Sequence, residues 1–224
     1  MPAPLAPLCP RAGRFRNGLR PMQIPDNLSV NPNRRKEYSP MTVFTIHTLE
    51  TAPESARPLL EQLQQQLGFV PNLAATMAES PLMLEGFTVL RAIFARGSLS
   101  GVEREVVAMT VAFETNCAYC MAAHSTAAKR HGASEEVLNV VRSGTLPTDP
   151  RLAALSRFMH QAVSKRNQVS AEDIHSFLDA DFTPAQMLEV LVGVGMTMLA
   201  SSMYHLAGTP TDAAFQAQAW APPT

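Results

Sequence analysis

The chain has 224 residues, of which 46% are hydrophobic and 17% are charged. This composition supplies enough apolar material for a folded core and excludes a chain that is disordered throughout. The net charge of −1 argues against nucleic-acid binding as the main function, and three cysteines are too few for a disulfide-rich secreted scaffold. We therefore expect a protein of a reducing, cytoplasmic compartment with a working thiol pair.

The first 40 residues differ in composition from the rest of the chain. They contain seven of the 18 Arg and Lys residues, two of the 19 acidic residues and eight of the 18 prolines. They lack the apolar stretch of a secretory signal, and their prolines would interrupt the amphipathic helix of a transit peptide. We expect residues 1–40 to be a disordered leader. The sequence MTVFTIHTLETAPE from Met41 reads like a natural start and favours an over-extended gene model, so residues 41–224 are predicted to form the domain.

From about residue 50 onward, apolar residues recur with helical periodicity. Glycines at positions 68, 97 and 132 are predicted to end helices. Each helical segment begins at or just after a residue type that favours helix starts. These residues are Pro71, Pro81, Ser100, Ser134, Asp149-Pro150, Ser170 and Thr183-Pro184. The one alternating, β-branched run, MTVFTIHTL, has no partner strand. The pattern predicts an all-α domain of about seven or eight helices.

The last long helix requires a test for membrane insertion. Fifteen residues from Val190 to Tyr204 carry no formal charge, fewer than the roughly 20 apolar residues that span a bilayer. Small residues at Gly193, Gly195, Ser201 and Ser202 would let neighbouring helices approach closely. We expect a core or subunit-interface helix and no membrane association.

The sequence NCAYCMAAHS, residues 116–125, contains the candidate reactive side chains, two cysteines and a histidine. We place it on a helix from Asn116, the expected N-cap, to about His131. With ~100° per residue, Cys117, Cys120 and His124 share one face, and His124 lies one turn after Cys120. The imidazole could then accept a thiol proton, and the helix N-terminus would favour a thiolate at Cys117.

A fourth group could come from the preceding helix. There Val102, Val106, Met109 and Phe113 mark one apolar face. Glu105 lies next to that face and could reach Cys120 and His124, whereas Glu103 is expected to face solvent. Glu105 would orient the imidazole and take part in proton transfer.

Three other interpretations of the cysteine pair stay open at this point. The cysteines could be inert buried residues, since cysteine is often a small core side chain. Cys117, Cys120 and His124, with Glu105, could bind zinc, although no second ligand pair exists in the sequence. A thioredoxin-type redox site would need a strand before the motif, and a helix precedes it instead. Among the other histidines, we expect His131 at a helix end and His160 and His175 on helix surfaces. We expect a structural or interface role for His205.

Glu105 followed after eleven residues by Cys117-x-x-Cys120-x-x-x-His124 resembles the signature of the AhpD-like alkylhydroperoxidase branch of the carboxymuconolactone decarboxylase family. The stretches GFVPNLAATMAESP and YHLAGTPTDAAF also resemble peroxidase-related members of that branch, so the resemblance extends over about residues 41–218. It implies an all-helical fold that assembles into dimers, trimers or hexamers.

The resemblance further implies a cofactor-free thiol peroxidase. Cys120 would be the thiol activated through His124 and Glu105, and Cys117 would be its resolving partner. The reductant would be an external dithiol, for which family members can use a lipoyl-bearing protein. The alternative is a redox-sensing or structural protein without a substrate of its own.

One position departs from the family pattern. Its peroxidases carry a relay histidine directly before the second cysteine, and Tyr119 stands there in this chain. The cysteine pair can still form a disulfide without this histidine, but the loss of a proton relay would lower the rate of peroxide turnover. From the sequence, Tyr119 either lines the mouth of the site or is an exposed aromatic residue.

Overall fold

A computed structural model describes residues 43–166 and 168–223 of the chain. The leader predicted at residues 1–40, with Cys9, and the proposed start at Met41 lie outside these residues. In the segment from residue 43 to the first helix, no strand occurs among the described residues.

The described residues form nine α-helices and one short 3₁₀ helix. The α-helices are α1 (Arg57–Leu67), α2 (Asn72–Met77), α3 (Pro81–Ala95), α4 (Gly101–Glu114), α5 (Ala118–Arg130), α6 (Glu135–Arg142), α7 (Pro150–Ser164), α8 (Ala171–Leu178) and α9 (Pro184–Ala207), and the 3₁₀ helix spans Ala213–Gln218. The all-α prediction is confirmed. The described α-helices number nine, more than the seven or eight predicted, and the additional 3₁₀ helix has too few residues to show a helical period.

Side-chain caps determine where most helices begin. At each of these positions the side chain accepts a hydrogen bond from a backbone N–H in the first turn: Ser80, Ser100, Ser134, Asp149, Ser170 and Thr183. The caps predicted at Ser100, Ser134, Asp149, Ser170 and Thr183 are confirmed. Gly68 ends α1 in the left-handed conformation (φ 84°), which glycine adopts without steric cost.

Helix α4 lies at the centre of the domain and packs against α5, α6, α7 and α9. Every residue from Val106 to Ala112 is buried. The sequence predicted one apolar face on α4, but the helix buries residues on all sides because other helices surround it. Val102 and Phe113, expected on the core face, are only partly buried.

The N-terminus of α4 corrects the prediction for Glu103. Its carboxylate accepts a hydrogen bond from the Ser100 backbone N–H at 2.7 Å, and Arg151 donates to it at 2.6 Å. Glu103 is only 7% exposed, so it does not face solvent. Burial opposes ionisation, but these two contacts outweigh it and hold the pKa of Glu103 below its ordinary value.

Helix α9 is long and apolar enough to cross a membrane by length and composition alone. It packs against α2, α3, α4 and α5, which buries part of its apolar surface as in a core helix, while Leu188, Leu191, Met198 and Leu206 are exposed. Gly193 allows the predicted close approach, because a Cβ there would lie 2.5 Å from the Phe94 ring of α3. Gly195 makes no such contact within the described chain: apart from its chain neighbours and the local helix backbone, no atom lies within 4 Å of its Cβ position.

Candidate functional site

The reversal between α4 and α5 sets the geometry of the cysteine pair. Asn116 adopts a left-handed conformation with φ 53°. Its N–H bonds the Phe113 carbonyl, and the Cys117 N–H bonds the Ala112 carbonyl. This Schellman arrangement ends α4, and asparagine tolerates the left-handed region better than most residues. The N-cap prediction for Asn116 is wrong by one residue, because Cys117 itself is the N-cap of α5.

Cys117 and Cys120 form a disulfide across the first turn of α5, with Cα atoms 5.3 Å apart. The Cys120 N–H donates to the Cys117 sulfur at 3.1 Å. Both residues are buried, at 0% and 2% exposure. Only one of the two sulfur-bearing residues borders a cavity: Cys120 is among the residues that line it, and Cys117 is not.

The same reversal makes α4 and α5 neighbours and brings Glu105 to His124. The Nδ1–H of His124 donates to Glu105 Oε2 at 2.7 Å, and both side chains are largely buried. Because a carboxylate only accepts hydrogen bonds, it selects the tautomer with a proton on Nδ1 and leaves Nε2 as the proton acceptor. His124 lies one turn after Cys120 and lines the same cavity.

A second histidine, not singled out in the sequence, also faces Glu105. His131 Nε2 lies 3.9 Å from Glu105 Oε1. The ring packs over Gly101, where an added Cβ would come within 2.5 Å of His131 Nδ1. The return of the chain after α5 therefore places a further ionisable group at the glutamate.

Tyr119 does not face solvent, so the exposed alternative is wrong. It is 3% exposed and packs edge-on against Phe215, with ring centroids 6.0 Å apart. Its hydroxyl donates to Asp212 Oδ2 at 2.5 Å. Burial, reinforced by the Asp212 carboxylate, raises the pKa of Tyr119.

Asp212 extends this contact to another helix. Its two carboxylate oxygens accept from the Asn72 backbone N–H at 3.0 and 3.2 Å, at the start of α2. Tyr119 thereby connects the cysteine-bearing turn to α2 and to the C-terminal segment. Asp212 lies in the stretch YHLAGTPTDAAF, but nothing in that stretch indicates a contact with Tyr119.

The cavity beside Cys120 has a volume of about 130 Å³ and mainly apolar walls. It adjoins a wider cavity of about 420 Å³, and His124, Phe87, Phe215 and Arg91 line both. The wider cavity also receives ionisable side chains from α4, from α5 and from the residue that follows α5: Arg104, Glu105, Arg130 and His131.

Two of the other histidines, His160 and His205, contact groups on neighbouring helices or helix ends. His160 is partly buried and its Nδ1 lies 2.5 Å from Glu114 Oε1, so the surface prediction for it is wrong. His205 Nε2–H donates to the Thr115 carbonyl at 2.6 Å and so supports the end of α4. This contact agrees with the structural role expected for His205.

Zinc binding was one of the alternatives for the cysteine pair. Among residues 43–166 and 168–223, no group of three or more His, Cys, Asp or Glu side chains is arranged to hold a metal ion. The two cysteine sulfurs are instead bonded to each other.

The fold and the site together define an all-helical protein with a buried CxxC pair beside a Glu–His contact. Residues 81–160 match the sequence model of the carboxymuconolactone decarboxylase family. This segment contains Glu105, Cys117, Cys120 and His124. The match agrees, over this segment, with the family resemblance seen in the sequence.

Solved structures share the fold at low sequence identity. An alkylhydroperoxidase AhpD core, a peroxidase-related protein from Ralstonia eutropha JMP134, has a TM-score of 0.69 and 21% identity, over 80% of this chain and 97% of its own. A peroxidase-related protein from Silicibacter sp. TM1040 has a TM-score of 0.67 and 20% identity, over 75% and 90%. The debrominase Bmp8 has a TM-score of 0.66 and 19% identity, over 79% and 96%. Comparison with curated protein sequences gives no match.

Proposed function

We propose that the protein is a thiol-dependent peroxidase that reduces organic hydroperoxides through a Cys117–Cys120 disulfide cycle. The observation that carries the proposal is the 2.7 Å contact between Glu105 and His124, one turn from a cysteine that lines a cavity. Nucleophile, proton acceptor and orienting carboxylate are the three parts of an activated thiol.

Oxidation begins at Cys120. In the reduced protein, His124 Nε2 takes the thiol proton, and Glu105 stabilises the resulting imidazolium through Nδ1–H. The thiolate attacks the terminal, hydrogen-bearing oxygen of the hydroperoxide and breaks the O–O bond. The imidazolium returns its proton to the departing alkoxide, so the products are an alcohol and a sulfenic acid on Cys120.

Cys117 then resolves the sulfenic acid. Its thiolate attacks the Cys120 sulfur, the disulfide forms, and hydroxide leaves as water with the proton from the Cys117 thiol. The disulfide across the first turn of α5 is the product of this step. Each cycle converts one hydroperoxide to an alcohol and water.

Reduction by an external dithiol closes the cycle. The reductant attacks Cys120, which lines the cavity, and expels Cys117 as a thiolate. The Cys120 backbone N–H, 3.1 Å from the Cys117 sulfur, and the helix N-terminus stabilise that leaving group. A second thiolate of the reductant then releases Cys120, and the reductant leaves as a disulfide.

Steady-state hydroperoxide consumption by the full chain, with dithiothreitol as reductant and cumene hydroperoxide as substrate, tests the proposal. We expect turnover in the wild type, its loss in Cys120→Ser and Cys117→Ser, and a roughly 10²-fold decrease in Glu105→Gln, the order of a lost acid–base contribution. Cys9→Ser is the matched cysteine control and should keep full turnover.

The same assay addresses the redox-sensing alternative. A sensor would form the disulfide once with peroxide but would not turn over with dithiol present. Absence of wild-type turnover, or full turnover in Cys120→Ser, contradicts the peroxidase proposal. A homo-oligomeric state and a cytoplasmic location remain predictions alongside it.

A further inference from the structure

Arg91 places a partly buried cation at the junction of the two cavities. It lies on α3, and its side chain lines both the cavity beside Cys120 and the wider one. One terminal nitrogen donates to Gln66 Oε1 at 2.5 Å. Its Nε is buried and has no hydrogen-bond partner among the described residues.

An unpartnered donor of this kind is costly in an apolar setting. Burial lowers the pKa of Arg91, which reflects the loss of hydration around the guanidinium. Buried polar groups are nearly always paired, so an exception indicates a missing ligand or a functional role. Guanidinium is the group best suited to bind a carboxylate with two parallel hydrogen bonds.

The walls around Arg91 favour an amphipathic ligand with one apolar end and one negatively charged end. Next to Arg91, the cavity beside Cys120 is lined by apolar side chains that include Leu63, Leu67, Phe87 and Phe215. In the wider cavity, two further guanidinium groups, from Arg104 and Arg130, add positive charge.

Glu105 does not offset this positive charge by binding Arg91. It is the only acidic residue among those that line the two cavities, and its oxygens face His124 and His131. Within residues 43–166 and 168–223, neither Arg91, Arg104 nor Arg130 forms an ion pair. The wider cavity, at about 420 Å³, falls in the size range of small-molecule sites.

We propose that Arg91 binds the carboxylate of an amphipathic organic hydroperoxide whose apolar part lies along Phe87 and Phe215, with its peroxide group directed to Cys120. This inference rests on the proposed peroxidase function and adds to it a substrate class and a specificity-determining residue. The hydroperoxide of a fatty acid has the required chemistry.

The kinetic test compares linoleic acid hydroperoxide with the hydroperoxide of methyl linoleate, each below its critical micelle concentration. The two share the same chain and peroxide group and differ only at the carboxyl end, which is ionised in the acid and methylated, hence neutral, in the ester. We expect wild type to prefer the acid in kcat/KM, and Arg91→Gln to lower the acid-to-ester ratio about tenfold or more, mainly through KM for the acid, as for the loss of a charged hydrogen bond. Arg91→Lys, which keeps the charge without the bidentate geometry, should retain part of the preference.

Arg96→Gln is the matched control. Arg96 also lies at the end of α3, is exposed, and lines neither cavity, so this variant should keep the wild-type ratio. If Arg91→Gln lowers acid and ester turnover equally, or if wild type does not distinguish them, Arg91 is structural and the proposal is overturned.

A binding measurement separates this proposal from the peroxidase function. Linoleate lacks the peroxide group, so its binding to the oxidised full chain can be measured by isothermal titration calorimetry without any turnover. We expect Arg91→Gln to raise its Kd about tenfold or more while Arg96→Gln keeps the wild-type Kd. Equal Kd values for wild type and Arg91→Gln, or no linoleate binding to wild type, overturn the assignment of Arg91. Absent hydroperoxide turnover with intact, Arg91-dependent linoleate binding contradicts only the peroxidase function.

Discussion

Replacing Tyr119 with phenylalanine removes one hydroxyl from the wall of the cysteine-bearing turn. That hydroxyl donates to Asp212 Oδ2 at 2.5 Å in a buried environment. Hydrogen bonds to charged groups contribute about 1.5–3 kcal/mol. Asp212 keeps the backbone N–H of Asn72, so the carboxylate is not left unpaired and the loss should lie near the lower end of that range.

We therefore expect Tyr119→Phe to lower the free energy of unfolding by about 2 kcal/mol, and the melting temperature by about 4–8 °C for a chain of this size. Urea denaturation followed by far-ultraviolet circular dichroism, with the disulfide kept oxidised, measures the difference.

Tyr204→Phe is the matched control for this measurement. Tyr204 is partly buried, and its hydroxyl makes no hydrogen bond with any described residue, so its removal should change stability by less than about 0.5 kcal/mol. Equal stabilities of Tyr119→Phe and Tyr204→Phe would refute the inference that the Tyr119–Asp212 contact holds the turn against α2.

Two further predictions concern the helix ends that position the site. Asn116→Val should destabilise the fold by about 1–2 kcal/mol because a β-branched residue is strained at φ 53°, whereas Asn116→Gly should be nearly neutral; urea denaturation of both compares them. Glu103→Gln should make stability less dependent on acid pH. Since the folded-state pKa of Glu103 is lowered, its ionisation stabilises the fold above the unfolded pKa of about 4.3, and this contribution disappears as pH falls through the lower folded value. The difference between wild type and Glu103→Gln should therefore shrink from pH 6 towards pH 3, as measured by urea denaturation at each pH, while the exposed Glu61→Gln serves as control.

Each of these has a result that contradicts it. Equal stabilities of Asn116→Val and Asn116→Gly would mean that the left-handed conformation does not constrain the reversal between α4 and α5. A wild-type advantage over Glu103→Gln that stays constant from pH 6 to pH 3 would mean that the pairing with Arg151 does not lower the pKa of Glu103.

The sequence was most informative where the interactions are local. Cys120 and His124 lie one helical turn apart, and Glu105 was expected to reach them if the two helices packed as neighbours. The short reversal at Asn116 makes α4 and α5 neighbours, and Glu105 contacts His124. Helix starts were predictable for the same reason, because a cap needs only the next three residues. The N-cap was misplaced by one residue because asparagine favours both an N-cap and a left-handed helix end.

The features that the sequence did not reveal depend on distant parts of the chain. Tyr119 meets Asp212 across 93 positions, and no short motif encodes that contact. Arg91 belongs to no motif in the sequence, and its position between two cavities arises from the packing of the helices. Glu103 was expected to be solvated because its partner Arg151 comes from another helix, 48 positions along the chain.

The central claim is that Cys120 attacks the peroxide and Cys117 resolves the product. Trapping the sulfenic acid tests it most directly: the reduced single variants Cys117→Ser and Cys120→Ser are each treated with one equivalent of cumene hydroperoxide in the presence of dimedone, digested and analysed by mass spectrometry. The account predicts a dimedone adduct on Cys120 in Cys117→Ser and little or none on Cys117 in Cys120→Ser, because only Cys120 lines the cavity and has His124 one turn away. An adduct mainly on Cys117, or no adduct in either variant, would contradict it.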